Sequence, residues 1–241
     1  MEPSGMPPPT RLDPGAGVHA VVPAAGRGVR FGGALSKLFE SIAGKPLLEW
    51  TVGRLLAAGV ESVTVALPTA VAEDPPEWLR ADRRVRAVAG GGSRQASVAL
   101  AVAASPAHPR DLVLVHDGAR PVLAAEDLLA VCQAAWTADG AVLGRRVSDT
   151  LKLLSGAEIR DTIDRRGLFH AETPQVFRRE VLERAIADAV EARFEGTDES
   201  ALVERLPGLR IVAVEAGSPN PKVTTPADLP LVRALLEKAA R

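Results

Sequence analysis

The sequence predicts an α/β domain built on a doubly wound, mostly parallel sheet. Short runs of apolar β-formers alternate with segments of helical periodicity from Val18 to Val214, the rhythm of consecutive βαβ units. The run Leu112 to Val115 is apolar without interruption, as a central parallel strand covered on both faces requires. Loops at Gly26, Gly91 and Asp117 each follow a predicted strand, and ligands of such sheets sit beyond the strands' C-terminal ends.

The first predicted strand, Val18 to Val22, stops at Pro23. Ala24, Ala25 and the turn Gly26-Arg27-Gly28 follow, then Arg30, Gly32-Gly33 and Lys37. Small residues let a backbone approach a ligand closely, and successive N–H groups in such a loop cradle an anion. Arg30 and Lys37 supply the positive charge a polyphosphate needs. A dinucleotide fingerprint fails here, because Phe31 takes the third glycine position and the second strand closes on Ala66-Leu67-Pro68-Thr69 without a carboxylate. A Walker A loop fails because no glycine directly precedes Lys37. The plain alternative is a glycine-rich turn beside two solvated cations.

Ser36 is placed to cap a short helical turn, and Pro46 to open a helix with Leu48, Val52, Leu55 and Leu56 on one face, ended by Gly59. Ser62 to Leu67 reads as a strand closed by Pro68. Val85 to Val88 is a further strand running into Gly90-Gly91-Gly92-Ser93-Arg94, with a small-residue helix over Ser97 to Ala104. The central strand ends in His116-Asp117-Gly118-Ala119-Arg120-Pro121. A helix over Leu128 to Ala138 and a strand over Ala141 to Leu143 come next.

Between Val147 and Phe177 the rhythm breaks. β-like pieces, Thr150 to Leu154 and Ile159 to Ile163, surround Gly156 and Gly167, and no long amphipathic helix intervenes. This reads as an antiparallel arm leaving the sheet. An isolated hairpin is marginal alone, so the arm is expected to pack on a partner subunit. Arg179 to Ala192 resumes a helix, Thr197 to Ser200 starts a short one, and Leu209 to Val214 is a late strand. Thr225 caps the last helix, with Pro226 at its first position and Asp228 in its first turn. The expected organisation is a flexible tail, 1–17, and one domain over 18–241 carrying the arm at about 147–177.

Composition narrows the function classes. The chain has 241 residues with 46% apolar content and a formal charge of −1, so no global basic field points to nucleic acid or a membrane surface. Five Phe, three Trp and no Tyr argue against a base-stacking platform. Cys132 is the single cysteine, which excludes an internal disulfide and the cysteine-rich zinc patterns. The Pro/Gly-rich start lacks a positive n-region and an apolar h-region, and no run approaches a membrane span, so a cytoplasmic protein is expected.

With these segments placed, the chain resembles the 2-C-methyl-D-erythritol 4-phosphate cytidylyltransferase family. The resemblance rests on ordered motifs from Val18 to the last helix. They are PAAGRGVR with Lys37, GGGSRQASV (Gly90 to Val98), HDGARP (His116 to Pro121), SDTLK (Ser148 to Lys152), ETPQ (Glu172 to Gln175), TDES (Thr197 to Ser200) and NPKVTT (Asn220 to Thr225). It implies the nucleotidyltransferase form of the doubly wound sheet, an arm exchanged in a homodimer, CTP and methylerythritol phosphate as substrates, Mg²⁺ or another divalent cation as cofactor, and diphosphate as leaving product. A sister cytidylyltransferase acting on ribitol 5-phosphate shares most of these motifs. A catalytically silent nucleotide-binding homologue is the non-enzyme alternative, and a dinucleotide-dependent oxidoreductase is disfavoured by the failed fingerprint.

The resemblance assigns Arg30, Lys37 and Lys222 to the phosphates as catalytic cations. It places Pro23, Ala24, Ala25, Gly26, Arg27 and Gly28 on the nucleotide, joined by Gly91, Gly92, Arg94 and Ser97 on the cytidine side and by Asp117 and Gly118. Asp117 is the implied metal ligand, since Mg²⁺ takes few carboxylates plus substrate phosphates. Arg120, Thr150, Arg165, Thr173 and Lys222 would hold the sugar phosphate, with Thr150, Arg165 and Thr173 on the arm. Other readings stay open: a turn plus helix cap for the Gly91 loop, a helix cap for Asp117, a solvated loop cation for Lys222, and a packing or orienting role for His116. Three positions depart from the family's usual pattern. Gly118 replaces alanine, which loosens that turn; Ser36 replaces proline before Lys37; and Gly92 replaces a polar residue, leaving only the backbone there.

Overall fold

A computed structural model of the chain describes residues 17–26 and 37–238. The expected tail, with the exception of Gly17, lies outside the described residues, as do Arg27, Gly28, Arg30, Phe31 and Ser36.

Strands β1 (Val18–Pro23), β4 (Ser62–Leu67), β5 (Val85–Ala89), β6 (Leu112–Val115), β7 (Gly140–Arg146), β10 (Phe169–Arg178) and β11 (Ile211–Glu215) form a seven-stranded sheet in the order β11-β7-β10-β6-β1-β4-β5. β1 pairs in parallel with β4 and β6, β4 with β5, and β7 with β11, while β10 runs antiparallel to both β6 and β7. The mostly parallel doubly wound sheet is therefore present.

Period-two alternation distributes the strand side chains between two cores. Ala20 and Val22 of β1 and Leu112 and Leu114 of β6 pack with helices α1 (Leu47–Ala57), α5 (Ala125–Thr137) and α8 (Leu229–Lys238). Val21, Val113 and Val115 point the other way, onto α4 (Arg94–Ala104), α6 (Arg179–Glu191) and α7 (Glu199–Val203). Because both faces of β6 are covered, all four of its residues are buried, which is why its sequence shows no polar alternation.

Two differences from the sequence expectation have physical causes. Thr69–Glu73 (α2) and Glu77–Arg80 (α3) are short helices opened by Pro68 and Pro76 at their N-caps, too short to show a helical period. The arm is also shorter than 147–177. Only β8 (Leu151–Ser155) and β9 (Glu158–Ile163) leave the sheet as an exposed antiparallel hairpin, whereas Phe169–Arg178 returns as β10. Its pairing shifts between Ala171 and Gln175, so Glu172, Thr173 and Pro174 occupy an irregularity beside the end of β6. A small hairpin, β2 (Ser41–Ile42) with β3 (Lys45–Pro46), precedes α1.

Candidate active site

A cleft of about 720 Å³ opens at the C-terminal ends of β1, β4, β5 and β6. Pro23 to Gly26 line it from β1, Pro68 and Thr69 from β4, Gly90 to Arg94 from β5, and Asp117 to Ala119 from β6; Lys37, Lys222 and Thr224 also belong to the wall. The three loops expected to converge do so.

Close backbone approach explains the glycines between β5 and α4. A Cβ on Gly90 would stand 2.3 Å from the Ala25 Cβ and 2.9 Å from Ser97 Oγ, and one on Gly91 2.6 Å from the Ala96 Cβ. Real side chains do not approach so closely, so Gly90 lets the β1 and β5 loops lie side by side and Gly91 lets the β5 loop fold against α4. A Cβ on Gly92 would meet nothing within 4 Å. Ser93 caps α4, its Oγ accepting the Ala96 N–H at 3.1 Å. Ser97, buried, accepts the Gly91 N–H at 3.1 Å and donates to the Ser93 carbonyl at 2.8 Å. The turn-plus-cap reading of this loop is thus literally present, and the same bonds fix the loop's open face toward the cleft.

Asp117 is the electrostatic centre. Its Oδ1 accepts from Arg94 Nε at 3.2 Å and Nη2 at 3.1 Å, its Oδ2 lies 2.8 Å from Lys222 Nζ, and Arg120 Nε is 3.8 Å away. Burial alone would push this carboxyl up, but Arg94, Lys222 and Arg120 outweigh it and hold Asp117 far below the usual carboxylate range. It is ionised at any physiological pH. Burial likewise disfavours the Arg94 charge, and the Glu199 and Asp117 carboxylates more than reverse that, leaving its pKa raised. Arg94 bonds Glu199 at 2.7 and 3.0 Å.

Bonds behind the cleft set the backbone of Asp117. Its N–H donates to Thr173 Oγ1 at 3.0 Å, Thr173 Oγ1 lies 3.1 Å from His116 Nδ1, and His116 Nε2 lies 3.0 Å from the Arg120 carbonyl. A carbonyl only accepts, so Nε2 carries the proton and Nδ1 accepts from the threonine hydroxyl. Burial pushes His116 down to about 4, so it stays neutral and orients rather than titrates. On the α1 side, Thr51 Oγ1 donates to the Gly118 carbonyl at 2.9 Å. A Cβ on Gly118 would meet Leu48, Val22 and Leu38 at 3.1 to 3.4 Å. Absence of the methyl does not loosen this turn; neighbouring apolar side chains fill its space.

Lys37 opens a 3₁₀ turn, Lys37–Phe39, and its Nζ donates to the Val223 carbonyl at 2.6 Å. The Val223 N–H donates to the Ala119 carbonyl at 2.9 Å, so the loop carrying Lys222 is tied to the Asp117 loop. Two lysines far apart in sequence therefore reach one wall. The Cys132 thiol, buried and pushed up to about 12, is a core group.

The remaining sequence candidates fall elsewhere. Arg120 and Thr173 are buried behind the cleft rather than in its lining. Arg120 donates to the Asn220 carbonyl at 2.6 Å and lies 3.7 Å from Glu172. Thr150 and Arg165 flank the exposed hairpin, outside the cleft of this chain, with Arg165 donating to the Ser148 carbonyl. Residue-type reasoning missed Glu172, Glu199 and Asn220, all buried. Asn220 Nδ2 bonds Glu172 at 3.0 Å and the Thr173 carbonyl at 2.7 Å. Their only sequence signal is membership of the ETPQ, TDES and NPKVTT segments.

The family model for 2-C-methyl-D-erythritol 4-phosphate cytidylyltransferase matches residues 18–238. The chain belongs to this family. Enzymes of that name from Aeromonas hydrophila and Xanthomonas campestris pv. campestris are 41% and 44% identical, covering 92% and 88% of this chain and 90% and 82% of their own lengths. The crystal structure of the family member from Thermus thermophilus superposes with a TM-score of 0.77 at 33% identity, over 90% of this chain and 98% of that one. A 4-diphosphocytidyl-2C-methyl-D-erythritol synthase gives a TM-score of 0.78, also at 33% identity, over 92% and 99% of the two chains. The family's nucleotidyltransferase fold and the sheet described above are the same architecture.

Proposed function

We propose that the chain transfers a cytidylyl group from CTP to 2-C-methyl-D-erythritol 4-phosphate, releasing diphosphate and forming 4-diphosphocytidyl-2-C-methyl-D-erythritol for isoprenoid precursor synthesis. Family membership over residues 18–238 carries this reading. The cleft supports it independently: glycine backbones for a nucleotide on one side, an ionised carboxylate with two lysines and an arginine on the other.

The acceptor is a phosphate monoester, whose second pKa of about 6 leaves it largely dianionic at neutral pH, so its oxygen attacks the α-phosphorus without a general base. What the protein must supply is the approach of two polyanions and stabilisation of charge on the pentavalent centre. Lys37, fixed through the Val223 carbonyl, and Lys222, across from it on Asp117, are the described cations for that task. Arg30 is the third cation of the reading and lies outside the described residues. Neutral His116 takes no proton in this scheme and keeps the Asp117 peptide in place through Thr173.

Mg²⁺ fits this donor set. Among the described residues no group of three or more His, Cys, Asp or Glu gathers to form a protein-only cage. One ionised carboxylate at a phosphate-binding cleft matches the way Mg²⁺ is bound by a carboxylate together with substrate phosphates. Asp117 would hold the ion, which when bound supplies positive charge to the phosphate oxygens.

A homodimer through the hairpin is part of the same reading, as is a cytoplasmic site of action. Every residue of β8 and β9 is exposed, including Leu153, Leu154 and Ile159, and a two-stranded sheet of that kind needs a surface to pack on. Arg165 and Thr150 would then serve the partner's acceptor site. Among the described residues no helix is long and apolar enough to cross a membrane.

Diphosphate release with CTP and Mg²⁺ across a panel of polyol phosphates tests the reading. Preference for methylerythritol 4-phosphate is expected. Preference for ribitol 5-phosphate would change the acceptor, and CTP binding with no release on any acceptor would overturn the enzymatic assignment.

A further inference from the structure

We infer that Glu199 is a positioning residue of the reaction: it draws Arg94 into the wall of the cleft and cancels its charge, so that Asp117 keeps its own for a divalent cation. The inference rests on the reading of Asp117 as the metal ligand given above.

Arg94 is the first residue of α4, where the helix dipole disfavours a cation. It is nevertheless held at the mouth of the nucleotide loop, because two carboxylates grip it. Glu199 Oε1 accepts from Nη1 at 2.7 Å and Oε2 from Nη2 at 3.0 Å, a forked pair. The Glu199 side chain is 2% exposed and its α7 position follows Asp198, which caps that helix through the Ala201 N–H at 3.0 Å. Gln175, from the irregular stretch of β10, locks the same turn by donating to Asp198 at 2.7 Å and accepting the Ser200 N–H at 2.9 Å. The glutamate is therefore rigidly supplied from an element that contributes no residue to the cleft lining.

The consequence is electrostatic. Asp117 has three cations within 3.8 Å, namely Arg94, Lys222 and Arg120. Arg120 is shared with Glu172 at 3.7 Å, as Arg94 is with Glu199. Each arginine thus meets a second carboxylate, Glu172 being shared in turn with Arg145 at 3.3 Å, and Lys222, 42% exposed at its side chain, is the cation on Asp117 that can yield its place to an incoming ion. Without the Glu199 charge, Arg94 would face Asp117 uncompensated and a divalent ion would meet one more positive charge a few ångströms away. At that separation the repulsion is substantial even in a polarisable site.

Mn²⁺ binding to the full-length protein, followed by the electron paramagnetic resonance signal of free Mn²⁺ with no nucleotide present, tests this directly. Glu199→Gln preserves shape and should weaken Mn²⁺ binding by about tenfold or more. The double variant Arg94→Gln/Glu199→Gln, which buries no unpaired charge, should recover the wild-type affinity, a rescue that a purely structural glutamate would not produce. Wild-type affinity in a folded E199Q, or a double variant as weak as E199Q or weaker than wild type by about tenfold, would overturn the inference. If E199Q does not fold, the double variant alone decides by the same criterion. Asp117→Asn is the control: Mn²⁺ binding unchanged in that variant would overturn the metal reading and this inference with it.

Discussion

Thr173 holds Asp117 by the backbone, its Oγ1 accepting the Asp117 N–H at 3.0 Å while facing His116 Nδ1 at 3.1 Å. A threonine assigned by resemblance to the sugar phosphate is, within this chain, a buried strut under the central carboxylate. Thr173→Val keeps the shape and strands a buried N–H and a ring nitrogen. The expected cost is roughly 1–3 kcal/mol in urea unfolding. Turnover should fall with little change in the acceptor KM; a large rise in KM at constant kcat would mean that Thr173 acts on the acceptor instead.

Lys37→Ala should lower kcat by about 10²–10³, the scale for loss of a preorganised electrostatic donor. Its bond to the Val223 carbonyl is lost as well, so a melting curve beside the kinetics separates lost catalysis from lost stability. Wild-type turnover would remove Lys37 from the catalytic set.

Gly90→Ala tests the close approach of two loops. The new Cβ would collide with Ala25 and Ser97, and overpacking of this kind costs about 1–3 kcal/mol. Because the collision lies in the loop proposed to hold the nucleotide, the KM for CTP should rise more than that for the acceptor. Equal kinetics in wild type and variant would refute the argument.

Stability should decline on mild acidification. His19 sits at the N-terminal end of the sheet with Ser62 Oγ at 2.8 Å and Asp111 at 3.4 Å. Burial lowers its pKa, and the nearby Glu61 and Asp111 only partly offset this. His116 is lowered to about 4. For both groups the unfolded chain takes up the proton first, so stability is full above about pH 6.5 and is lost as pH falls toward the folded-state values. The interval from 6.5 to about 4 makes His116 alone worth roughly 3 kcal/mol. Urea titrations at pH 7.5, 6 and 5 check the sign, and a flat profile would contradict it.

Leu154→Asp with Ile159→Asp places charge on two exposed apolar residues paired across the hairpin. Sedimentation should show a monomer that still binds CTP but turns over slowly. A wild-type protein that sediments as a fully active monomer would defeat the shared-site proposal.

The sheet and the cleft are legible in the sequence by different routes. β1 and β6 announce themselves because buried strands are largely apolar, and their following loops carry glycine or charge. β10 reads as arm because Glu172, Thr173 and Pro174 interrupt it, and only pairing with β6 and β7 makes it a strand. At the site, Asp117, Lys37 and Lys222 stand out as charges beside loops. Glu199 does not, because its meaning comes from Arg94, 105 positions away, and no local pattern encodes that distance.

The hairpin leaves and re-enters the sheet at one place. Val147 N–H donates to the Leu168 carbonyl at 3.3 Å, and Phe169 already pairs with Arg146. Everything between those points is a detour whose ends are closed by strands that would touch without it. Closing a shorter loop there costs little entropy, so the excursion can be lengthened, exchanged or cut back without re-registering the sheet. In evolutionary terms the segment is a cassette: the sheet and its cleft can be retained while the surface exposed on the hairpin is rewritten.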